Sequence, residues 1–200
     1  MARYIGPKNR LSRREGLDLF GKGNKLRRSS QAPGQHGPKG ARRRSSEFGT
    51  QLREKQKTKR LYGIMERQFS RYFGFAAKVP GKTGEVLLRL LETRLDNVVY
   101  RLGLAPTRAM SRQLVSHGHV LVGDKVVKSP SYQVQVGDLI TLDTKAKKIP
   151  AVAVRMSDSK IVPPAWLERQ AETGKVLSFP VRSQIDTPVN EQPIVEFYSR

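Results

Sequence analysis

The stretch TRAMSRQLVSHGHVLVGDKVV, from Thr107 to Val127, decides how we interpret the fold of this chain. Thr107 follows a proline and predicts a helix N-cap, and Gly118 predicts the end of the helix that starts at Arg108. Residues between them recur at i, i+3 and i+4, which is the spacing of one buried helical face. The residues predicted to face the core are Ser111, Leu114 and Val115.

Short strands are predicted after this helix. Residues 119–122 and 125–127 are rich in β-branched side chains, and the Gly-Asp pair at 123–124 is suited to a type II′ turn. Residues 132–136 and 139–142 predict further strands. With one more helix before it, the stretch predicts a module of two helices followed by a small curled sheet.

Helical patterns also precede the stretch. Residues 46–63 and 65–79 predict two helices, and the aromatic face of the second is interpreted as core rather than as a platform for bases. Residues 83–103 carry two apolar stripes. We expect a break near Glu92, because a Thr-x-x-Asp capping pattern begins at Thr93.

Charge is the strongest global feature, with 38 Lys+Arg against 17 Asp+Glu and a formal net charge of +21. Residues 1–60 contribute +14 of it and residues 61–200 contribute +7, whereas residues 161–200 alone carry −1. So basic a chain needs a polyanionic partner, for which nucleic acid is the usual candidate and an anionic membrane surface a weaker one. The C-terminal end is expected to pack on protein.

The first 45 residues lack apolar periodicity and are rich in Gly, Pro, Ser and Arg. Such a segment buries too little apolar surface to offset its chain entropy, so we expect it to be disordered alone and ordered by a partner. Its start, MARYIGPKNR, has no apolar core like that of a secretory signal. This predicts a cytoplasmic protein or one made inside an organelle, and no membrane span.

Several chemistries are excluded or disfavoured. The chain has no cysteine, which excludes disulfides and thiolate zinc sites. Its three histidines, His36, His117 and His119, are too few for a convincing metal site. No nucleophile elbow or phosphate-binding Walker loop occurs. We therefore expect no enzyme activity, no cofactor and no small-molecule substrate.

The opening stretch carries two arginines one helical turn apart, Arg108 and Arg112, with Ser116 continuing the row. Two guanidinium groups near a helix N-terminus suit phosphate oxygens. An isolated pair of this kind is more often a solvated face, but the strongly basic N-terminal segment favours phosphate binding here. His117 or His119 could cap the helix, or stack on a base or ribose.

The sequence ETRLDNVVYRLGLAPTRAMSRQLVSHGHVLVGDKVV, followed by PSYQVQVGDLI, closely resembles the S-four RNA-binding module. Further segments resemble bacterial-type small-subunit ribosomal protein S-four and occur in that family's order. They are MARYIGPK, PGQHG, SEFGTQLREKQKTKRLYG, ERQFSRYF and VNEQPIVEFYSR.

The resemblance implies a structural protein that binds small-subunit ribosomal RNA and nucleates assembly of the RNA's 5′ domain. It implies ribosomal protein S-five as a neighbour, a location by the messenger RNA entrance, and a contribution to translational accuracy. Many relatives hold zinc with cysteines in the N-terminal segment, so any order in this cysteine-free segment is expected to come from RNA.

Charge and resemblance together predict an RNA-binding set within the small ribosomal subunit. The residues of this set are Arg3, Arg10, Arg13, Arg14, Arg42, Arg43, Arg44, Arg53, Lys55, Lys59, Arg60, Arg94, Arg108, Arg112, Ser116, His117, His119, Lys125, Lys128 and Tyr132.

The expected fold class is α+β. A basic irregular extension, 1–45, precedes a helical domain that is discontinuous in sequence, with its first part at 46–91. The RNA-binding module, 92–155, is inserted, and a C-terminal segment, 156–200, returns to the helical domain. In that segment Pro163-Pro164 predicts a helix start and Gly174 its end, with Trp166 buried against the helices of 46–91.

Two other classes of protein share features with this sequence. The module also occurs in pseudouridine synthases and tyrosyl-tRNA synthetases, but those enzymes need a large catalytic domain. A DNA-binding regulator uses helix–turn–helix elements, but it rarely carries a long basic Gly/Pro-rich tail.

Overall fold

The computed structural model describes residues 4–21, 31–37, 46–158, 161–170 and 172–199. The helices there are α1 (Lys8–Glu15), α2 (Glu47–Leu61), α3 (Glu66–Ala76), α4 (Thr83–Glu92), α5 (Leu95–Arg101), α6 (Arg108–Ser116), α7 (Thr144–Lys147), α8 (Pro150–Met156) and α9 (Gln192–Tyr198). The strands are β1 (Val120–Val122), β2 (Lys125–Val126), β3 (Leu139–Leu142), β4 (Leu167–Gln170) and β5 (Thr173–Val176), and a 3-10 helix spans Arg182–Gln184.

The chain divides into two compact units. The first joins Met1–Gly74 to Pro188–Arg200, and the second is Phe75–Thr187. Helices and an antiparallel sheet together confirm the α+β class. The returning C-terminal segment is shorter than the predicted 156–200, because only the last thirteen residues belong to the first unit.

The first unit is built around α2. The Ser46 hydroxyl caps this helix by accepting the Gly49 N–H at 3.1 Å, and Gly63, with φ 65°, follows its end. Helix α9 packs on α2, with the rings of Phe48 and Phe197 5.6 Å apart and Ile194 fully buried. The last segment of the chain thus completes the core of the first unit.

Helix α3 confirms the interpretation of its aromatic face, since Phe69 and Tyr72 are buried. Helix α1 was not predicted. It ends at Gly16 in the left-handed conformation, and Arg13 and Arg14 lie in its last turn, where the helix dipole favours positive charge. Because Glu15 pairs with side chains of α2, contacts within the chain contribute to order in this segment, contrary to the expectation that RNA alone supplies it.

In the second unit α4 and α5 are separate helices, as predicted, but Thr93 does not cap α5. The Thr93 hydroxyl lies 2.8 Å from the Arg89 carbonyl oxygen and 2.6 Å from Gln133 Oε1, and the N-cap position is Arg94. Arg94 forms an isolated bridge with Gln133. The Thr93 hydroxyl thus bonds Gln133, forty residues away in the same chain, instead of capping α5 as the pattern predicted.

The sheet of the second unit is antiparallel throughout, in the order β2-β1-β3-β5-β4. The predicted strand at 132–136 is absent apart from the bridge at Gln133. The predicted helix from Pro163 to Gly174 is wrong, because this segment contributes to the β4–β5 hairpin. The edge of β3 not covered by β1 pairs with β5, with Leu139 opposite Lys175.

One core joins the sheet to α5 and α6. Trp166 is 1% exposed and belongs to this core, so its burial is as predicted but its partners are not the helices of 46–91. Gly174 lies so close to Leu102 that an added Cβ would come within 2.2 Å of it. No helix among the described residues is both long and apolar enough to cross a bilayer.

Candidate nucleic-acid interface

Helix α6 organises the predicted site. The Thr107 hydroxyl accepts the Met110 N–H at 3.2 Å, which confirms the predicted N-cap. Ser111, Leu114 and Val115 are buried, as their spacing predicted. The row of Arg108, Arg112 and Ser116 lies on the flank of α6 beside these buried residues, where both arginines contact α5.

Arg108 is half-buried and is held by two residues of α5. Its Nε donates to Asn97 Oδ1 at 2.8 Å, and its guanidinium carbon lies 4.5 Å from the centroid of the Tyr100 ring. The distance to the ring is that of a cation–π contact. One side chain thus sets the direction of the guanidinium group and the other supports its plane.

Arg112 is more enclosed than an exposed row would require, with only 11% of its side chain accessible. Its Nη1 donates to Asp96 Oδ2 at 3.2 Å. The same carboxylate accepts hydrogen bonds from Arg94 at 3.0 and 2.7 Å. Arg94 is fully buried against this carboxylate, so its role as an RNA contact stays a prediction without an exposed group behind it.

A second carboxylate, Glu92, lies buried beside this pair. It accepts from Asn97 Nδ2 at 2.7 Å and from Arg101 at 3.0 and 2.7 Å. We call the whole set the arginine network. It contains the carboxylates Glu92 and Asp96, the amide of Asn97, and the guanidinium groups of Arg94, Arg101, Arg108 and Arg112, so its formal charge is positive.

More predicted residues gather at the C-terminal end of α6. The rings of His117 and His119 are 6.3 Å apart, and the stem of Lys128 lies over Gly118, 3.1 Å from where a Cβ would be. His119 Nδ1 lies 3.3 Å from Asp143 Oδ2. The backbone N–H of Ala146, and then His119, lower the pKa of the Asp143 carboxyl, so Asp143 is anionic at neutral pH.

The remaining predicted residues of the module are exposed. Lys125 is exposed in β2, and Ser116 is exposed, with its hydroxyl donating to the Arg112 carbonyl at 2.8 Å. Tyr132 is 37% exposed, and its carbonyl accepts the Leu95 N–H at 2.8 Å at the start of α5. The module therefore presents cations and two imidazoles around α6 and the hairpin, and an aromatic ring at the start of α5.

In the first unit, Lys55 and Lys59 converge on Glu66. Their ammonium groups lie 2.7 and 2.8 Å from its carboxylate oxygens, and the Tyr198 hydroxyl donates to it at 2.9 Å. Lys55 is 5% exposed and lies 4.3 Å from the centroid of the Phe197 ring. Lys55 thus fastens α9 to α2, and its role as an RNA contact stays a prediction.

This cluster is strongly ionised. Burial raises the pKa of the Glu66 carboxyl, but hydrogen bonds from Lys55, Lys59 and Tyr198 outweigh burial and lower the pKa to about 2. Burial and the bond to Glu66 raise the pKa of the Tyr198 hydroxyl. Glu66 is therefore a carboxylate at neutral pH, and Tyr198 stays protonated as its donor.

Other predicted cations of α1 and α2 surround Glu15. Arg53 lies 3.2 Å from its carboxylate, and Arg60 pairs with the same oxygen. Burial raises the pKa of the Glu15 carboxyl, although both arginines oppose this. Arg10 and Arg14 are exposed on α1, and Arg13 Nε donates to the Gln31 carbonyl at 2.9 Å. The remaining predicted residues, Arg3, Arg42, Arg43 and Arg44, lie outside the described residues.

Sequence reasoning missed the residues that hold the arginines in place. Asn97, Tyr100 and Arg101 follow Arg94 in the run RLDNVVYR, where polar residues interrupt the apolar stripe. Polar residues at these positions of an otherwise apolar helix indicate a hydrogen-bonded network, and this is the signal by which they could be predicted. Exposed cations of α3 and α4 outside the predicted set are Arg67, Arg71 and Arg89.

The arrangement suits anion binding rather than metal chemistry. Within the described ranges, no group of three His, Cys, Asp or Glu side chains is placed to hold a metal ion. Guanidinium groups bind phosphate oxygens through directed, charge-assisted hydrogen bonds. The α6 row and the hairpin lysines are therefore the best-supported candidate surface for nucleic acid.

Comparison with known proteins gives consistent matches along the chain. A family model described as "Ribosomal protein S4/S9 N-terminal domain" matches residues 3–92, and one described as "S4 domain" matches residues 93–140. The chain is 54% identical over 209 residues to "Small ribosomal subunit protein uS4" of Dictyoglomus turgidum. It is 50% identical over 211 residues to the protein of the same name from Herpetosiphon aurantiacus. Both matches cover 100% of this chain and 100% of the relative.

Proposed function

The chain belongs to the uS4 family of small ribosomal subunit proteins, and we propose that it binds ribosomal RNA through the α6 row and the β1–β2 hairpin. Family membership makes it a structural, non-enzymatic protein of the small subunit that binds ribosomal RNA. It also confirms the resemblance seen in the sequence. The particular residues that touch RNA are our proposal.

The observation that carries the proposal is the arrangement of cations on the module. Arg108 is half-buried and oriented by α5, and Lys125 and Lys128 are exposed nearby in the sequence beyond α6. Arg112 lies one turn from Arg108 and is tied to Asp96. Guanidinium groups held in fixed directions can position a phosphate backbone, while long exposed lysines add charge without a fixed direction.

We further propose the finer role that the family resemblance implies. The chain would bind the 5′ domain of the small-subunit RNA early and nucleate its assembly. It would adjoin ribosomal protein S-five near the messenger RNA entrance and influence translational accuracy. The nearly neutral C-terminal end supports a protein neighbour, because residues 161–200 carry a formal charge of −1 in a chain of +21.

Equilibrium binding of the full chain to 5′-domain RNA across a range of salt concentrations tests RNA binding. Each phosphate contact contributes roughly 0.7–0.9 to the slope of log K against log salt. With about six contacts or more, the slope should be steeper than about −4. A nearly flat slope, or equal affinity for duplex DNA of the same length, would overturn the proposed RNA interface.

The assembly role has a separate test. Reconstitution of small subunits with and without the chain, followed by chemical probing of the 5′ domain, should show folding of that domain delayed when the chain is omitted. Addition of the chain after the other proteins should rescue it slowly. Normal folding of the 5′ domain without the chain would contradict the nucleation role and leave RNA binding unaffected.

A further inference from the structure

We propose that Asn97 and Tyr100 are positioning residues for Arg108, which hold its guanidinium group in the direction from which it binds phosphate. The inference rests on the proposed RNA-binding function of α6 and deepens it. It concerns two side chains of α5 that belong to the core side of the module rather than to the predicted RNA-binding set.

The orientation of the Asn97 amide is fixed by its surroundings. Its Nδ2 lies 3.0 Å from the Glu92 carbonyl oxygen, which can only accept a hydrogen bond, and 2.7 Å from Glu92 Oε2. The amide nitrogen must face Glu92, so the amide oxygen must face Arg108, whose Nε donates to it at 2.8 Å. Asn97 is 2% exposed and therefore has little freedom to turn.

Glu92 is itself held in place. Arg101 donates to both of its carboxylate oxygens, at 3.0 and 2.7 Å, and Glu92 is fully buried. Hydrogen bonds therefore run without interruption from Arg101 through Glu92 and Asn97 to Arg108. The rigid core of the module thereby sets the direction of a side chain that reaches the surface.

Tyr100 supports the same group from another side. It follows Asn97 by three residues, so the two side chains share one face of α5. Its ring centroid lies 4.5 Å from the Arg108 guanidinium carbon. A ring face supports a planar guanidinium group and keeps its charge, because the attraction comes from the ring quadrupole.

The contrast with Arg112 shows why a neutral amide matters. Arg112 is oriented by the Asp96 carboxylate, which brings a negative charge within 3.2 Å of its guanidinium group. Asn97 gives Arg108 an equally directed bond and contributes no charge. A phosphate approaching Arg108 thus meets a donor group whose direction is already fixed.

Holding the side chain beforehand raises affinity, since less rotamer freedom is lost when RNA binds. Loss of that restraint should weaken binding by roughly 3- to 10-fold. A residue with a purely structural role would instead change the melting temperature and leave the affinity of the folded protein unchanged.

The test is a double-mutant cycle on affinity for 5′-domain RNA, using Asn97→Ala, Arg108→Ala and the double variant of the full chain. Asn97→Ala should weaken binding by about 3- to 10-fold in the wild-type background. It should have no further effect, within about 2-fold, when Arg108 is already alanine. Thermal melting of each variant defines the temperature at which all four proteins are folded.

A second pair of variants avoids the buried position. Tyr100 is half-buried, so its substitutions are milder for folding. Tyr100→Leu removes the ring and should weaken binding in the same direction, whereas Tyr100→Phe keeps the ring and should bind like wild type. If Asn97→Ala does not fold, this pair of variants still tests whether side chains of α5 position Arg108.

The outcomes separate this inference from the function on which it rests. Equal losses from Asn97→Ala in both backgrounds would overturn the positioning role, as would equal affinities of the Leu and Phe variants. Wild-type affinity in Arg108→Ala would also overturn it, while a steep salt slope would leave RNA binding intact. Weak binding with a flat salt slope in the wild-type chain would overturn the proposed interface itself.

Discussion

In the first unit, Lys55 and Lys59 converge on the single carboxylate of Glu66, whereas in the second unit the arginine network spreads four guanidinium groups over two carboxylates and an amide. The first arrangement joins α9 to α2 and α3. The second joins α4 and α5 to α6 and ends at Arg108, which is half-buried.

In both clusters, basic residues of an RNA-binding protein are paired with carboxylates of the same chain. Lys55 and Arg94 belong to the predicted set, yet both are buried on partners within the chain. A buried charge is tolerated when it is paired and hydrogen-bonded, and removing its partner is costly. Substitutions in each cluster therefore separate its contribution to stability from its contribution to binding.

The largest effect is expected from Asp96→Ala. This change leaves the fully buried guanidinium group of Arg94 without the carboxylate that neutralises it. Breaking a buried pair by removing one partner costs about 3–5 kcal/mol. Urea unfolding at neutral pH should show this loss, and a loss below about 1 kcal/mol would mean that Arg94 is not held as described.

Next in size is Arg112→Glu. Sequence reasoning treats Arg112 as an exposed residue whose reversal weakens RNA binding by at least about 10-fold and hardly changes stability. Its side chain is only 11% exposed and bonds Asp96, so we expect a stability loss of about 1.5–3 kcal/mol as well.

Arg112→Lys is the matched control because it keeps the charge and loses only the planar fork. It should retain most of the stability and bind RNA between wild type and the Glu variant. Melting curves and RNA affinity, measured below the transition of the least stable variant, check both. A Glu variant as stable as wild type would mean that Arg112 is exposed and that its bond to Asp96 does not stabilise the fold.

These two residues show what the sequence could and could not predict. Helices α2 to α6 follow from apolar periodicity, caps and glycines, which are local signals. Pairing of Arg112 with Asp96 depends on the angle at which α5 and α6 cross. That angle cannot be predicted from the spacing of residues along the sequence. The helical spacing of Arg108, Arg112 and Ser116 follows from the sequence, while their predicted placement opposite the core was wrong, because Arg112 is only 11% exposed and bonds Asp96.

The β4–β5 hairpin is a second example. A double proline before Trp166 and a glycine at 174 imitate the start and end signals of a helix. The unpaired edge of β3 offers backbone donors and acceptors that β5 satisfies, and this non-local pairing overrides the local signals. Local signals such as prolines and glycines do not predict which strands a short strand pairs with.

A smaller effect is expected in the first unit from Glu66→Gln. The Glu66 side chain is 45% exposed, so we expect a loss of only about 1 kcal/mol at neutral pH. The folded pKa is lowered from 4.5 to about 2, so the carboxylate stabilises the fold above pH 4.5. That contribution is lost as the pH falls from 4.5 towards 2.

The measurement is the difference in unfolding free energy between wild type and the Gln variant as a function of pH. It should shrink across this window and vanish near pH 2. A constant difference would mean that Glu66 stabilises the unit through packing rather than through its charge.

The smallest effects on the fold are expected at the exposed lysines of the module, Lys125 and Lys128, where an effect on binding should remain. Lys125→Ala should change stability by no more than about 0.5 kcal/mol. If Lys125 neutralises one phosphate, the slope of log K against log salt should become shallower by roughly 0.7–0.9.

Because the stem of Lys128 lies over Gly118, Lys128→Met is the better change there, since it removes the charge and keeps the contact. Lys128→Ala then serves as the control that removes both. If the Met variant keeps the wild-type slope while the Ala variant melts lower, Lys128 belongs with Lys55 among the cations that hold the fold.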